Sequence, residues 1–294
     1  MNRRNFVKSA LLLSAFGFVQ KKSYSFNRML KFSDDWEIKK CKEKLASLDT
    51  SYKNSSVSDV ISYVGTSFLG IPYVAGSLDE DAKREELVIK VTGLDCVTFV
   101  ENTLVMSRLI KKGDTSFDAY KKELQLIRYR DGIIDGYPSR LHYFSDWIYD
   151  NQNKGIVEDI TKSIGGKEYN KTIDFMTGHV ESYKQLKNNS DFVDRMKSVE
   201  DDINQRQRYY IPKNSIDKYY DSLSTGDIIA TTTEIKGLDV THTGYIYKQD
   251  SGTYFLHASI IQKEVIISDM ELKEYLNSDR KKTGVMVARP LDIN

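Results

Sequence analysis

Cys96 lies in the stretch GLDCVTFVEN, between an aspartate and the beginning of an apolar, helix-forming run. It is one of two cysteines in 294 residues. A cysteine in the first turn of a helix meets unpaired backbone N–H groups and the positive end of the helix dipole. Both favour the thiolate, which is the nucleophilic form of the side chain. Position alone leaves two interpretations open, a nucleophile or a buried structural cysteine.

A cysteine nucleophile needs a base, usually histidine, and the base needs a group that orients it. His242 lies within the strand-like stretch DVTHTGYIYK, and His257 lies near the end of the next one, GTYFLHAS. If residues 248–251 form the hairpin turn, the two histidines are direct cross-strand neighbours, with Cβ atoms about 5 Å apart. We therefore predict that one imidazole orients the other, in a register that a slip of one residue would destroy.

The second cysteine, Cys41, is predicted to be structural. Asp34 and Glu37 have the spacing of a capping box at the start of DDWEIKKCKEKLASL. Cys41 then shares one helical face with Leu45, where it would pack as a small apolar residue. A disulfide between Cys41 and Cys96 is not favoured.

The chain reads as helices first and strands later. Ser58 is predicted to cap an amphipathic helix, and another helix is expected from about Cys96 to Lys112, after a short strand ELVIKV. Residues 116–220 read mainly as helices with many aromatic side chains. The order predicts an α+β protein. Five antiparallel strands are expected at GDIIATTT, DVTHTGYIYK, GTYFLHAS, KEVIIS and GVMVARP, with one helix at DMELKEYLN.

Residues 1–25 are predicted to be an export signal. A basic segment, MNRRNFVK, precedes the apolar stretch SALLLSAFGFV, which is too short to span a bilayer. Arg3 and Arg4 leave a twin-arginine and a Sec signal equally open. No cysteine follows that could carry a lipid anchor, so we expect an exported, periplasmic protein. Residues 26–294 would form a single catalytic domain, with a helical insertion at about 113–220.

The charge balance excludes several partners. The 43 basic residues against 42 acidic ones create no overall field that would attract nucleic acid or an anionic membrane. Metal-binding spacings such as H-E-x-x-H are absent from the sequence. We therefore expect no cofactor, no metal and no stable membrane anchor, and a monomeric protein.

The motifs GIPYVAG, LDCVTFV, GDII, THTGYIY and LHAS occur in this order and resemble the NlpC-type superfamily of bacterial cell-wall cysteine peptidases and amidases. The resemblance implies a papain-like fold, with the nucleophile at the start of a helix that packs on an antiparallel sheet. It implies that Cys96 is the nucleophile, His242 the general base and His257 the orienting third member. Tyr73 matches a tyrosine that faces the substrate in this superfamily.

The departures from the common pattern resemble one branch of the superfamily. Val97 and Thr98 replace the usual Ser-Gly, and RYRDG, SRLHYFSDWI and IDFMTGHVESY are further shared features between Leu69 and Pro290. This branch is associated with N-acetylmuramoyl-L-alanine amidase activity. Its members would cut between the lactyl group of N-acetylmuramic acid and L-alanine, in peptidoglycan or in soluble muropeptides.

Three alternatives stay open from the sequence. An endopeptidase that cuts the γ-D-glutamyl bond to the diamino acid would use the same catalytic residues. A zinc amidase would instead bind a metal with Cys96, His242 and His257. A wall-binding protein without activity is the third.

Further residues could contact the substrate. We assign Tyr73, Arg140, His142 and Thr241 as candidate substrate-binding residues. Arginines can bind carboxylates through two hydrogen bonds, although internal ion pairs would explain the arginines of this segment equally well. His142 could also be a packing residue, and His179 is predicted to lie in the core.

Overall fold

The computed structural model describes residues 23–79 and 84–293, with side chains from residue 35 onward. The predicted export signal lies almost wholly outside these residues and stays a prediction. Within the described part of the chain, no helix combines the length and the apolar character that crossing a bilayer requires.

The described residues form nine α-helices and eight strands, connected in part by 3-10 helices. The helices are α1 (Ser23–Ala46), α2 (Val57–Thr66), α3 (Cys96–Lys112), α4 (Phe117–Arg128), α5 (Phe144–Asn153), α6 (Phe175–Gly178), α7 (Lys184–Lys187), α8 (Ser190–Gln205) and α9 (Leu272–Asn277). The strands are β1 (Val157–Asp159), β2 (Lys167–Glu168), β3 (Tyr209–Pro212), β4 (Ile228–Thr233), β5 (Val240–Gln249), β6 (Gly252–Ser259), β7 (Glu264–Ile267) and β8 (Lys282–Pro290).

The strands form one antiparallel sheet in the order β2-β3-β8-β4-β5-β6-β7, and β1 also pairs with β8. The predicted α+β class and the five predicted strands, β4 to β8, are confirmed. The count of five is too low, because three strands from the segment 113–220 join the same sheet. These strands have two to four residues each, too few to show an alternating pattern.

Within the segment 116–220, which the sequence predicts to be mainly helical, residues 172–188 form only the short helices α6 and α7, with a 3-10 turn between them. The predicted strand ELVIKV is also wrong, since its described residues form no ladder. Side chains of other segments hydrogen-bond to the backbone carbonyls of this stretch instead. Arg128 donates to the carbonyl of Val88 at 2.6 Å, and Asn102 donates to that of Lys90 at 3.0 Å.

The two faces of the sheet carry different layers. On one face, Tyr245 packs against α3, and its hydroxyl donates to the carbonyl of Val100 at 2.7 Å. On the other face, Ile246 and Phe255 pack against α9 and the 3-10 helix Lys213–Ser222. Successive residues of a strand point to opposite faces, so β5 contributes to both cores in alternation.

The first helix begins earlier than the sequence predicts. α1 is already helical from Ser23, so the capping box predicted at Asp34 and Glu37 is wrong. Glu37 instead accepts the N–H of Val91 at 2.8 Å and the hydroxyl of Thr92. Glu37 thus anchors the chain shortly before Cys96.

Cys41 is completely buried and unpaired, as predicted. Desolvation raises the pKa of its thiol to about 12, so the neutral form packs in the core. α2 is capped by Ser56, whose hydroxyl accepts the N–H of Asp59, rather than by Ser58.

Candidate active site

Cys96 is the first residue of α3. Asp95 caps the helix, because its carboxylate accepts the N–H of Thr98 at 2.8 Å and its own N–H donates to the Thr98 hydroxyl at 2.9 Å. The helix ends at Lys112, and Gly113 follows with a left-handed φ of 75°. Both predicted ends of this helix are confirmed. The reciprocal cap fixes the backbone on which the Cys96 side chain sits.

The loop before α3 brings Tyr73 towards the cysteine. Leu94 donates to the carbonyl of Pro72 at 2.9 Å and accepts the N–H of Val74 at 3.0 Å. The N–H of Tyr73 donates to the carbonyl of Lys263 at 2.8 Å. Burial, followed by the nearby Cys96 and Asp95 side chains, raises the pKa of the Tyr73 phenol, so the hydroxyl keeps its proton.

α3 meets the sheet where two strands part. Strands β5 and β6 pair only as far as Tyr245 and Leu256. Beyond that pair, β5 continues along β4 and β6 continues along β7. Burial raises the pKa of Cys96, and the nearby N–H of Thr243, on the parted stretch of β5, acts to lower it. The cysteine therefore faces the gap between β5 and β6.

The register of the β5–β6 hairpin differs from the prediction. Gln249 pairs with Gly252, which leaves a two-residue turn, Asp250 and Ser251, in place of the expected four. The predicted direct pairing of His242 with His257 is therefore wrong by two residues. A displacement by two keeps both side chains on the same face, because strand side chains alternate with a period of two.

Gly244 makes room for this arrangement. A Cβ atom at Gly244 would lie 2.6 Å from the carbonyl oxygen of Leu256 and 2.8 Å from the Cβ of His257. Real Cβ atoms do not approach other heavy atoms so closely, so a side chain here would push β6 away. The glycine lets His257 come close to β5.

The two histidines contact each other. Nε2 of His242 lies 2.7 Å from Nδ1 of His257, and the ring planes are perpendicular. One of these nitrogens must donate and the other accept. The predicted contact is thus confirmed, although it runs diagonally between the strands.

A shell of aromatic rings surrounds the histidine pair. The ring of Tyr275 on α9 lies 5.1 Å from that of His257 and 6.4 Å from that of His242. Phe255 stacks on His257 with ring centroids 4.7 Å apart. Burial and then the nearby Cys96 raise the pKa of the Tyr275 phenol, which places the cysteine in the same cluster.

Burial keeps the cluster neutral at rest. Desolvation and then Asp95 raise the pKa of Cys96 to about 12, although the N–H groups of Thr243, Val97 and Cys96 itself lower it. Desolvation lowers the pKa of His242 well below 6.5 and that of His257 to about 3. Burial therefore outweighs the preference of the helix start for a thiolate, and the Cys96 thiol and both imidazoles are neutral.

The two facing nitrogens also bear on the zinc alternative. Nε2 of His242 and Nδ1 of His257 hydrogen-bond to each other and do not converge on a common point. Among the described residues, no group of three or more His, Cys, Asp or Glu side chains is arranged to hold a metal ion.

Comparison with known families identifies the chain. Residues 63–285 match the family described as AmiA-like, N-acetylmuramoyl-L-alanine amidase-like. The chain belongs to this amidase-like family. The predicted branch is thereby confirmed, while the wider NlpC-type placement stays a prediction.

Solved structures agree with this membership. A crystal structure of an N-acetylmuramoyl-L-alanine amidase from Bacteroides uniformis is 37% identical, with a TM-score of 0.75 over 80% of this chain and 98% of that chain. A Legionella pneumophila protein, 20% identical, shows the same fold, with a TM-score of 0.65 over 88% of this chain and 97% of that one. The comparison with curated proteins finds no significant match.

A third similar structure has a different name. It comes from Bacteroides fragilis, is provisionally named a xylanase and is 37% identical, with a TM-score of 0.73 over 77% of this chain and 99% of that chain. Glycosidases generally act through two carboxylic acids on either side of the sugar bond. Asp95, the carboxylate next to Cys96, is instead committed to capping α3. The described cluster therefore offers thiol and imidazole chemistry.

Two of the candidate substrate residues are occupied by internal contacts. Arg140 is buried and pairs with Asp79 at 2.7 Å and with Glu85 at 3.2 Å. His142 hydrogen-bonds to the carbonyl of Tyr137 at 2.8 Å, and burial, followed by Arg140, lowers its pKa to about 3. Their contact with a substrate stays a prediction.

Other basic side chains of the segment are paired in the same way. Arg128 binds Glu101 at 2.7 Å, and Arg130 binds Asp146 at 2.6 Å. His179 is exposed and bonds to the carbonyl of Phe175, so its predicted place in the core is wrong. Internal ion pairs thus account for these arginines.

Thr241 occupies a β-bulge beside His242. Thr231 pairs with His242 and Thr232 pairs with Val240, so Thr241 has no partner across the ladder. The residue is exposed. Bulges are frequent next to active sites, where they redirect side chains. The sequence gives no signal for this bulge, because it depends on the pairing with β4.

The segment 113–220 borders the same strand. At the start of α5, the N–H of Ser145 donates to the carboxylate of Asp239 at 2.8 Å. Tyr169 donates through its hydroxyl to the carbonyl of Asp239 at 3.1 Å. Asp239 precedes β5 directly, so the segment packs against the chain that leads to His242.

Proposed function

We propose that this chain hydrolyses the amide between the lactyl group of N-acetylmuramic acid and L-alanine, in peptidoglycan or in its soluble fragments. The observation that carries the proposal is the hydrogen-bonded pair of His242 and His257, which shares the cluster around Tyr275 with Cys96. Membership of the amidase-like family and the named Bacteroides uniformis structure support the substrate class.

The first step is acylation of the cysteine. Nε2 of His242 donates to Nδ1 of His257, which leaves Nδ1 of His242 unprotonated and able to take the thiol proton. The Cys96 sulfur attacks the lactyl carbonyl carbon, and a tetrahedral oxyanion forms. The imidazolium of His242 then gives its proton to the alanine nitrogen as the carbon–nitrogen bond breaks.

Because thiol and imidazole are both neutral at rest, proton transfer accompanies the attack. The cleft acts by general-base catalysis on a thiol, rather than through a preformed thiolate–imidazolium pair. Water, activated by the same histidine, hydrolyses the thioester and restores Cys96. The products are a lactyl carboxylate on the sugar and a peptide that begins with a free L-alanine amine.

The oxyanion needs hydrogen-bond donors. The backbone N–H groups of Cys96 and Val97 have no partner within the helix, because both residues lie in the first turn of α3, close to where the oxyanion would form. The Tyr73 hydroxyl, which keeps its proton, is a second candidate donor. Tyr73 and the exposed Thr241 are the candidate substrate contacts that internal pairs leave accessible.

Two broader inferences belong with this function. The arrangement of α3 on an antiparallel sheet supports the papain-like, NlpC-type architecture implied by the sequence motifs. A substrate in the cell wall also requires export, in agreement with the periplasmic location predicted from the N-terminus.

The test is the identity of the products. We expect mass spectrometry of a digested muropeptide to show free N-acetylmuramic acid, or its glycan, together with an intact peptide that begins with L-alanine. Release of L-alanyl-D-glutamate with the sugar attached would instead establish the endopeptidase alternative. Cys96→Ala serves as the control, and cleavage by that variant would contradict the cysteine mechanism.

A further inference from the structure

Lys282 lies behind the aromatic shell of the histidine pair. Its ammonium group sits 3.4 Å from the ring centroid of Tyr275 and donates to the carbonyl of the same residue at 3.0 Å. A cation over an aromatic face is held by the ring's quadrupole. Tyr275 in turn packs against both imidazoles, so the cation and the histidine pair contact the same ring.

A second β-bulge directs Lys282 to this place. Thr232 pairs with Gly284 and Thr233 pairs with Lys282, so Thr283 is skipped. Along β8, Val285 and Val287 point to the α9 face, and Met286 and Ala288 point to the α3 face. Without the extra residue, Lys282 would point to the α3 face.

We propose that Lys282 is a positioning residue, whose charge keeps the histidine pair from being protonated and so leaves Nδ1 of His242 free to accept the Cys96 proton. This inference rests on the proposed function. It adds Lys282 of β8, acting beside Tyr275 of α9, to a reaction so far assigned to α3, β5 and β6.

The shared hydrogen bond makes the position of the proton on His242 depend on the protonation of His257. If His257 became protonated, its Nδ1 would carry a hydrogen and would donate to Nε2 of His242. His242 would then hold its single proton on Nδ1 and could not act as a base towards Cys96. A nearby positive charge disfavours that state, because it repels an imidazolium.

The charge of Lys282 has the same effect on both histidines of the pair. Desolvation and then Lys282 lower the pKa of His257, and Lys282 also lowers that of His242. Burial lowers the pKa of Lys282 itself to about 8, with Asp279 acting to raise it and Lys213 to lower it. Lys282 is therefore charged below that pH, where the histidines would otherwise gain protons. The titratable groups that share the cluster with the pair are Cys96 on α3, Tyr275 on α9 and Lys282 on β8.

The test compares Lys282→Met with the charge-preserving Lys282→Arg. Lys281→Met is the matched control, since it removes the same charge from the adjacent position. For each protein we would record the pH profile of kcat/KM on a muropeptide and, by ¹⁵N NMR at neutral and acid pH, the protonation of the histidine ring nitrogens. Thermal unfolding at neutral pH would check that each variant is folded.

We expect Lys282→Met to move the acid limb of kcat/KM and the histidine titration upward by roughly half a pH unit to one unit. Lys282→Arg and Lys281→Met should keep the wild-type values. Equal profiles and titrations in Lys282→Met and wild type would overturn the inference, as would a uniform loss of kcat that the arginine variant fails to rescue. The NMR titration does not depend on activity, so it separates this inference from a failure of the proposed reaction.

Discussion

Nε2 of His242 lies 2.7 Å from Nδ1 of His257, and the two rings are perpendicular. The contact occupies Nε2 of His242, so only Nδ1 is left to accept a proton from Cys96. In the proposed reaction the two nitrogens of His242 therefore have different roles, one towards His257 and one towards Cys96. The predictions below test these roles and the packing that produces them.

Replacing the nucleophile should abolish activity and leave the fold intact. We expect Cys96→Ala to lose about 10⁴-fold or more in kcat/KM, because no other group can form the acyl intermediate. The free energy of unfolding should change by about 1 kcal/mol at most, since the side chain is only half-buried. Muropeptide hydrolysis and urea unfolding measure the two quantities.

Alkylation provides an independent check on the same residue. Iodoacetamide should label Cys96 and inactivate the wild type, whereas Cys41 is fully buried and should stay unlabelled in the folded protein. Because burial raises the pKa of Cys96 to about 12, labelling should accelerate with rising pH up to the limit of stability. Mass mapping of the label to Cys41, or inactivation by a chelator, would contradict the assignment.

The histidines should differ in their effects. His242→Ala should lower kcat by about 10²- to 10⁴-fold, as expected for loss of a general base, and His257→Ala should lower it less. Asn or Gln at position 257 should retain part of the rate, because an amide oxygen can accept the hydrogen bond from Nε2 of His242. Steady-state kinetics at one pH decide the ranking. Full activity in His257→Ala would show that the observed contact has no role in the reaction.

Gly244 provides a test of the packing between the histidine strands. Gly244→Ala would place a Cβ atom 2.6 Å from the Leu256 carbonyl, so β5 and β6 would have to separate. We expect a loss of about 1–3 kcal/mol in the free energy of unfolding together with a lower kcat. Gly178→Ala is the matched control, since no atom lies within 4 Å of its added Cβ. Equal unfolding free energies for the two variants would contradict the close approach of the strands.

Stability should fall in acid because three histidines are buried in their neutral form. Desolvation lowers the pKa of His142 and of His257 to about 3, and that of His242 well below 6.5. As the pH falls, the histidines of the unfolded chain bind protons before those of the folded protein do. The contribution of the three histidines to the free energy of unfolding is therefore fully present above pH 6.5 and declines as the pH falls towards 3. Each histidine contributes up to about 1.4 kcal/mol per pH unit in this window.

Urea unfolding between neutral and acid pH measures this slope. His142→Gln should make it shallower, because one titrating group is removed while a donor to the Tyr137 carbonyl remains. The exposed His179→Gln serves as the control and should leave the slope unchanged. A slope identical in His142→Gln and wild type would contradict the burial of His142 as a neutral ring.

Local chemistry made the nucleophile helix predictable. Asp95 caps the first turn, apolar residues recur at helical spacing, and Gly113 takes the left-handed conformation that ends the helix. The strands β4 to β8 were equally readable, because β-branched and aromatic residues are concentrated in them. The burial of Cys41 followed from its position on an apolar helical face.

Pairing between distant residues decided the rest. The sequence predicted that His242 and His257 meet, but a two-residue turn at Asp250 and Ser251 sets a register that local patterns leave open. The short strands β1 to β3 exist only because β8 and its neighbours offer them backbone partners.

The chemical state of the site was also decided by the tertiary structure. From the sequence, the helix start at Cys96 favours a thiolate, and Arg140 could bind either a substrate carboxylate or an internal one. In the folded protein, desolvation raises the pKa of the thiol, and Asp79 and Glu85 occupy the guanidinium. The sequence by itself determined the candidates for the chemistry, since residue type and local position are sufficient to single them out. Only the tertiary structure decided their protonation and their partners, because both depend on which distant groups exclude water or lie within hydrogen-bonding distance.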